Sequence, residues 1–372
     1  MRVLHFFKTY WPDTFGGVER TIHAIAKGTA RYGVQSDVLS LSDEPERNTQ
    51  EFDGHIAYKA KLDFEFASTG FSREVFGRFA ELSEKADIIH YHFPWPVMDV
   101  VHLASRLRKP TVVTYHSDVV KQRILLRLYR PVMHRFLERV DRIVATSPNY
   151  AASSHVLQRY GDKTTIIPLG LDEANYPPPP EHLKDQWRRR LSRPFFVFVG
   201  VLRYYKGVHF LLEAARYTNA DIAIIGTGPM ASSLKAYAND LGLSNVHFLG
   251  ALSDADKSAL LDLSIGMVFP SHLRSEAFGL SLVEASIFGK PLISCEIETG
   301  TSFVNVHGKT GWVVPPANPP ALADAMSSLV QNPDRAKVFG DASRERFEKL
   351  FSAEQMAASY RDLYEVLLTW RN

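Results

Sequence analysis

Two carboxylates, Glu276 and Glu284, stand eight positions apart in the stretch Ser271–Pro291, SHLRSEAFGLSLVEASIFGKP. The apolar run IGMVFP before them predicts a strand. Phe278-Gly279-Leu280 then opens an amphipathic segment that stops at Gly289-Lys290-Pro291, a regular helix stop. Glu276 therefore falls in a loop and Glu284 within the first two turns of a helix. A carboxylate beside the free N–H groups of a helix N-terminus can grip a polyol while those N–H groups face an anion. Sugar hydroxyls and a diphosphate suit such a site. Taken singly, Glu276 could complement the helix dipole and Glu284 could be a solvated helical residue.

Other chemistry-bearing residues also fall at predicted strand ends. Arg203 and Lys206, in GVLRYYKG, join a strand to a helix, and two cations three residues apart suit the charge of a diphosphate leaving group. Gly16-Gly17-Val18-Glu19-Arg20 follows the first strand and opens the first helix, where glycines admit a ligand to the backbone and the helix start favours phosphate. His116, in TVVTYHSD, sits at the carboxyl end of a strand, where ligands bind in open α/β sheets; it could equally be a strand-end residue satisfied by a carbonyl. His90 and His92 alternate onto one face of IIHYH. Three histidines invite zinc, but spacing across two strands is not diagnostic, and we assign no metal. Gly226-Thr227-Gly228-Pro229-Met230-Ala231 matches the dinucleotide fingerprint G-x-G-x-x-A, which admits an NAD-dependent oxidoreductase as a competing reading. The acidic residue such a site needs about 20 positions on is missing, and Pro229 at a helix start accounts for the turn.

The elements that must position these residues alternate along the chain. VLHFF, a helix from Gly17 to Tyr32, SDVLSLS, IIHYH, TVVTYH, RIVATS and TTIIPLG form a first series. A break from Asp172 to Pro194 contains Pro177-Pro178-Pro179-Pro180 and Arg188-Arg189-Arg190, and reads as a semi-rigid linker with a surface helix. FFVFVG, DIAIIG, VHFLG, GMVFPS and PLISCE form a second series. Such alternation predicts an α/β protein of two Rossmann-like domains with parallel sheets, residues 1–170 and 195–351, joined by residues 171–194. From Ser352 to Trp370, Met356, Tyr360, Leu363, Tyr364 and Leu367 recur at helical spacing.

SEAFGLSLVE resembles the E-x7-E motif of retaining GT-B glycosyltransferases of family four, and GGVER, HSD and the Arg203/Lys206 pair resemble that family's other motifs over essentially the whole chain. The resemblance implies a cleft between an acceptor-side first domain and a nucleotide-sugar-binding second domain, with the last helix (352–372) crossing back to the first. It assigns Gly16 and Gly17 to the donor diphosphate or the acceptor, His116 to a place over the reacting sugar carbon, and Arg203 and Lys206 to the phosphates. Glu276 would hold a donor sugar hydroxyl, Glu284 the ribose, and the loop Gly250–Lys257, with Leu252 and Lys257, would lie beside the base; Phe278, Gly279 and Leu280 complete the donor site. Where many relatives have GG-x-x-E, this chain has Cys295-Glu296-Ile297-Glu298-Thr299-Gly300-Thr301-Ser302. That variant looks like bacterial O-antigen mannosyltransferases using GDP-mannose, with GDP-rhamnose or a UDP-sugar as alternative donors. The implied acceptor is a polyprenyl-diphosphate-linked saccharide. No cofactor is implied: the GDP-sugar is a substrate. No Asp-x-Asp motif stands at a strand end, since Asp254-x-Asp256 begins a helix as a cap would.

Composition bounds these readings. The 372 residues, 45% hydrophobic and 23% charged with a formal net charge of +2, suit a two-domain globular protein. No apolar run approaches the roughly 20 residues of a membrane span. MRVLHFFKTYW has too short an apolar patch for a signal peptide, so we expect a cytoplasmic protein. The single cysteine, Cys295, excludes an internal disulfide and a cysteine-rich metal site. Lys121 to Arg142 carries Lys121, Arg123, Arg127, Arg130, Arg135, Arg139 and Arg142 against Glu138 and Asp141, interleaved with apolar residues. It reads as a basic amphipathic helix for an anionic membrane surface, peripheral on the inner face of the cytoplasmic membrane, or as an ordinary domain helix. No basic excess over the whole chain supports nucleic acid binding.

Overall fold

The structure, a computed structural model, describes residues 1–67, 69–119 and 123–369. The chain divides into two units. The first is Met1–Gly170 with the last helix, Ala353–Thr369, and the second is Leu171–Ser352. Residues 171–194 are therefore no free linker. Their helix, Glu181–Arg190, packs in the second unit, with Trp187 buried and its Nε1 donating to Asp256 at 3.0 Å.

In the first unit the strands are β1 (Arg2–Phe6), β2 (Gln35–Ser42), β3 (Gln50–Phe52), β4 (His55–Lys61), β5 (Phe64–Phe66), β6 (Thr69–Phe71), β7 (Ile88–Phe93), β8 (Thr111–Tyr115), β9 (Arg142–Ala145) and β10 (Thr164–Ile166). Among the described residues the main sheet runs β10-β9-β8-β7-β1-β2-β4-β3, parallel except where β3 meets β4, while β5 and β6 form a separate antiparallel ribbon. Strands β1, β7 and β8 are buried almost throughout, as parallel strands covered on both faces must be. Strand order reverses at β1, which lies between β2 and β7; such a switch opens a crevice at the carboxyl ends. The last helix packs on this unit: Met356, Tyr360, Leu363, Tyr364 and Leu367 join Val3, Ile25, Ile88 and Val112 in one core cluster. Gly28, on the first helix (Gly17–Ala30), allows the approach, because a Cβ there would lie 2.7 Å from the Ala357 Cβ. Trp370 lies outside the described residues.

Among the described residues the basic segment is helical over Arg123–Arg139, and Arg142 belongs to β9. Lys121 lies outside the described residues. Met133, Phe136 and Leu137 are buried, whereas Arg127, Arg130, Arg135 and Arg139 face outward with Leu128. Met133, Phe136 and Leu137 thus belong to the protein's own core.

The second unit has one parallel sheet of β11 (Phe195–Val199), β12 (Asp221–Ile225), β13 (Val246–Gly250), β14 (Gly266–Phe269), β15 (Leu292–Cys295) and β16 (Gly311–Val314), in the order β13-β12-β11-β14-β15-β16. Its reversal lies between β11 and β14, so the loops carrying Arg203, Lys206 and Glu276 leave the sheet at the switch point. Cys295 is buried in β15, and burial pushes its thiol up to about 12, which keeps it protonated and unreactive.

Candidate active site

The loop after β11 is locked to its neighbours by glycines. Gly207, at φ +67°, follows the turn Tyr204–Lys206, and a Cβ on it would lie 2.1 Å from the Pro270 carbonyl oxygen. A Cβ on Gly226 would lie 2.0 Å from the Gly200 oxygen, and one on Gly228 would lie 2.6 Å from Leu202 N. Leu202 N–H donates to Thr227 O at 2.8 Å and Met230 N–H to Leu202 O at 3.1 Å. The glycines of the G-x-G-x-x-A match therefore serve loop-to-loop packing, which fixes the backbone just before Arg203.

Lys206 is buried, and its Nζ lies 2.5 Å from Glu276 Oε2 and 4.5 Å from the Phe269 ring centroid. Ser271 Oγ donates to the same carboxylate oxygen at 3.3 Å. Arg203 is exposed, so the two cations sit in unlike surroundings, one held by a carboxylate and one open to solvent. Gly279, at φ +90°, is the N-cap of the helix Leu280–Ile287, and no side chain caps that helix start. Its first N–H groups can therefore receive an anion. The Phe278 ring packs inward instead: a Cβ on Gly300 would lie 2.7 Å from its Cδ2, and the Phe351 ring stands 6.0 Å away.

Glu284 is buried, and its Oε1 accepts from Tyr176 OH at 2.8 Å and Lys257 Nζ at 3.1 Å. Lys257 also reaches Asp254 at 3.1 Å. Leu252 is half-buried, one residue before the N-cap Ser253. The variant segment after β15 clasps the Glu276 loop: Gly300 N–H donates to Ala277 O at 2.9 Å and Arg274 to Glu298 O at 2.9 Å.

In the first unit Gly16 caps the first helix, with Gly17 its first residue, and the carboxylate of Glu19 folds back over them. Glu19 Oε1 accepts from Thr9 and Thr14 hydroxyls at 2.8 and 2.7 Å, and a Cβ on Gly16 would lie 2.4 Å from Oε2. Sequence reasoning gave Glu19 no role of its own, although an acidic residue in the first turn complements a helix start. A carboxylate therefore already complements this helix start.

His116, at the end of β8, is held by two contacts: its backbone N–H donates to Phe93 O at 3.1 Å and its ring Nε2 pairs with His92 Nδ1 at 3.0 Å. His92 Nε2 in turn pairs with His5 Nδ1 at 3.1 Å, making a chain of three imidazoles. Burial pushes His116 and His5 each down to about 3. Burial and then the neighbouring rings hold His90 and His92 well below the usual range. His116 is therefore neutral at pH 7. Ring nitrogens of His5, His90 and His92 lie within 4.8 Å of one another; His90 bonds Tyr364 and Thr114, both at 2.7 Å, and His92 bonds His5 and His116, while the buried His5 Nε2 has no hydrogen-bond partner. His5 escaped sequence reasoning because only the pairing of β1 with β7 sets it beside His90.

Comparison with known proteins decides what this site belongs to. Residues 181–346 match the family described as Glycosyl transferases group 1, and residues 15–175 match Glycosyltransferase Family 4. The chain is 52% identical to the D-rhamnosyltransferase WbpZ of Pseudomonas aeruginosa, over 95% of this chain and 93% of the relative. It is a group 1 glycosyltransferase. An Escherichia coli relative, O-antigen chain mannosyltransferase C, is 47% identical over 99% of both chains. Two solved structures share its fold: sucrose-phosphate synthase from Thermosynechococcus elongatus (TM-score 0.82, 21% identity, 99% of both chains) and HepE from Anabaena in complex with UDP (TM-score 0.79, 19% identity, 98% of this chain and 100% of that one). The fold of this glycosyltransferase is thus GT-B, and the oxidoreductase reading falls. Among the described residues no helix is long and apolar enough to cross a membrane.

Within the glycosyltransferase's second unit, four residues assigned to separate parts of the donor stand in two contacting pairs, Lys206 with Glu276 and Lys257 with Glu284. Arg203, Leu252 and the uncapped start at Leu280 lie on the loops around them, whereas the Phe278 side chain belongs to the packing beneath.

Proposed function

We propose that this chain is a retaining α-glycosyltransferase that moves mannose from GDP-mannose onto a polyprenyl-diphosphate-linked saccharide in O-antigen synthesis. The observation that carries the reading is the pairing of Lys206 with Glu276 at the point where strand order reverses between β11 and β14, a cation for phosphate beside a carboxylate for hydroxyls. The O-antigen mannosyltransferase relative supports the sugar and the pathway. The rhamnosyltransferase relative supports a second reading with the same chemistry and GDP-rhamnose as donor.

In the reaction the bond from the anomeric carbon to the β-phosphate oxygen breaks and its electron pair leaves with GDP. The acceptor hydroxyl bonds to that carbon on the same face and passes its proton to the departing phosphate. Arg203, Lys206 and the N–H groups at Leu280 offset the charge developing on the diphosphate, so the reaction proceeds without a divalent ion. Glu276 holds a hydroxyl of the transferred sugar and Glu284 the ribose. The family resemblance assigns His116 to the reacting sugar carbon, and a ring kept neutral by burial adds no charge to oppose the positive charge that grows there.

The lipid-linked acceptor is supported by an apolar groove lined by Phe64, Phe71, Phe76, Val97 and Val100, and the membrane surface by the outward Arg127, Arg130, Arg135 and Arg139. Calorimetric titration with GDP, UDP and ADP, followed by turnover of GDP-mannose against GDP-rhamnose with a polyprenyl-linked acceptor, tests the proposal. Binding of UDP in preference to GDP would overturn the donor assignment. A strict requirement for added magnesium or manganese after EDTA treatment would overturn the metal-free chemistry.

A further inference from the structure

We infer that Tyr176 is a positioning residue for the nucleotide ribose, acting through Glu284; this rests on the assignment of Glu284 to the ribose proposed above. Tyr176 lies in the stretch whose sequence reads as a linker, yet the residue is 8% exposed and its hydroxyl donates to Glu284 Oε1 at 2.8 Å. Lys257 Nζ meets the same oxygen at 3.1 Å and stands 5.4 Å from the centre of the Tyr176 ring. One carboxylate oxygen is thus fixed by two donors, and one of those donors rests on the other's ring.

The backbone around Tyr176 is built to hold this place. The turn Glu173–Asn175 is capped by Asp172, whose Oδ1 accepts from Ala174 N–H at 3.1 Å, and Tyr176 N–H closes it onto Glu173 O at 2.8 Å. Arg344 ties that turn to the helix bearing Glu284: its Nη2 lies 2.8 Å from Glu173 Oε1, and its Nη1 donates to Ile287 O at 2.7 Å. The tyrosine hydroxyl is therefore set relative to Leu280–Ile287 before any ligand arrives. A carboxylate offers about four acceptor positions. Donors on Oε1 orient the group, and an oriented carboxylate can accept from a ribose diol. A freely turning glutamate would lose rotamer freedom on binding, and the preorganised one has already lost it.

The test measures binding of GDP, 2′-deoxy-GDP and 3′-deoxy-GDP by calorimetry to the full chain and to Tyr176→Phe, which keeps the ring and removes only the hydroxyl. The wild type should prefer GDP over at least one deoxy analogue. Tyr176→Phe should weaken GDP about three- to tenfold, and bind the deoxy analogue with a smaller loss, so the preference narrows. In turnover, KM for the GDP-sugar should rise while kcat stays near the wild-type value. In a Glu284→Gln background, Tyr176→Phe should have no further effect on GDP affinity, which a merely structural role would not predict. A wild type that prefers GDP alongside a Tyr176→Phe variant that keeps the full preference would overturn the role of Tyr176 alone. A wild type indifferent to both ribose hydroxyls would overturn the assignment of Glu284 and this inference with it.

Discussion

Replacing Glu276 by glutamine should separate donor chemistry from nucleotide binding, and the direction of the second effect follows from one contact. Lys206 Nζ and Glu276 Oε2 stand 2.5 Å apart with each side chain 11% exposed, so in the ligand-free protein a diphosphate must share Lys206 with a carboxylate. Glutamine keeps the shape and a hydrogen-bonding oxygen but removes the competing charge. A hydrogen bond to a charged group contributes about 1.5–3 kcal/mol. If about half of it opposes GDP, its loss tightens GDP by up to roughly tenfold, or about 1.4 kcal/mol. The same substitution leaves a buried ammonium without its counter-charge, and breaking such a pair costs about 3–5 kcal/mol; the ligand-free variant should therefore melt at a lower temperature and recover with GDP. Turnover should fall by about 100-fold or more, because the sugar hydroxyl loses its charged acceptor in the transition state. Calorimetry with GDP, thermal unfolding with and without GDP, and initial rates on GDP-mannose measure the three effects. Glu284→Gln should instead weaken GDP by roughly tenfold. If Glu276→Gln loses GDP affinity while Glu284→Gln binds normally, the two roles are reversed and the reasoning fails.

Arg203→Ala should fold normally, since the side chain is exposed, and turn over about 100-fold more slowly; wild-type rates in the purified variant would refute its place on the phosphates. Stability should depend on pH through the buried imidazoles. His5 and His116 are each pushed down to about 3, whereas an unfolded histidine titrates near about 6.5. The unfolded chain thus takes up protons first: the stability is complete above about 6.5 and is lost as pH falls from there towards 3, at up to about 1.4 kcal/mol per unit for each group. A melting temperature that stays flat from neutral pH down through that window would contradict the buried neutral chain. Sedimentation with anionic liposomes should weaken with added salt, because each Lys or Arg near the surface contributes about 1 kcal/mol and salt screens it; equal behaviour with neutral liposomes would refute attraction by the Arg123–Arg139 face.

The parts that sequence reasoning reached are those where a short local pattern has one physical reading. The runs FFVFVG, DIAIIG and GMVFPS are too apolar and too short for anything but buried strands, and their helices follow at regular intervals, so two parallel sheets could be read directly. The last helix was legible as a stripe of Met356, Tyr360, Leu363, Tyr364 and Leu367, all buried in the first unit's core. What escaped depends on which distant residues meet. His5 is one more polar residue in a strand until the register of β1 with β7 sets it opposite His90. Tyr176 lies among prolines that suggest a spacer, yet it ends on Glu284, more than a hundred positions away. The glycines of Gly226-Thr227-Gly228 show the opposite case: a pattern that can cradle pyrophosphate is also what a carbonyl oxygen 2.0 Å from a would-be Cβ demands. Local chemistry limits what a residue can do, and tertiary contacts select among those uses. The Lys206–Glu276 pair shows the two levels meeting, for each residue had a ligand assigned to it from the sequence, and only the fold shows that in the ligand-free protein each serves as the other's partner.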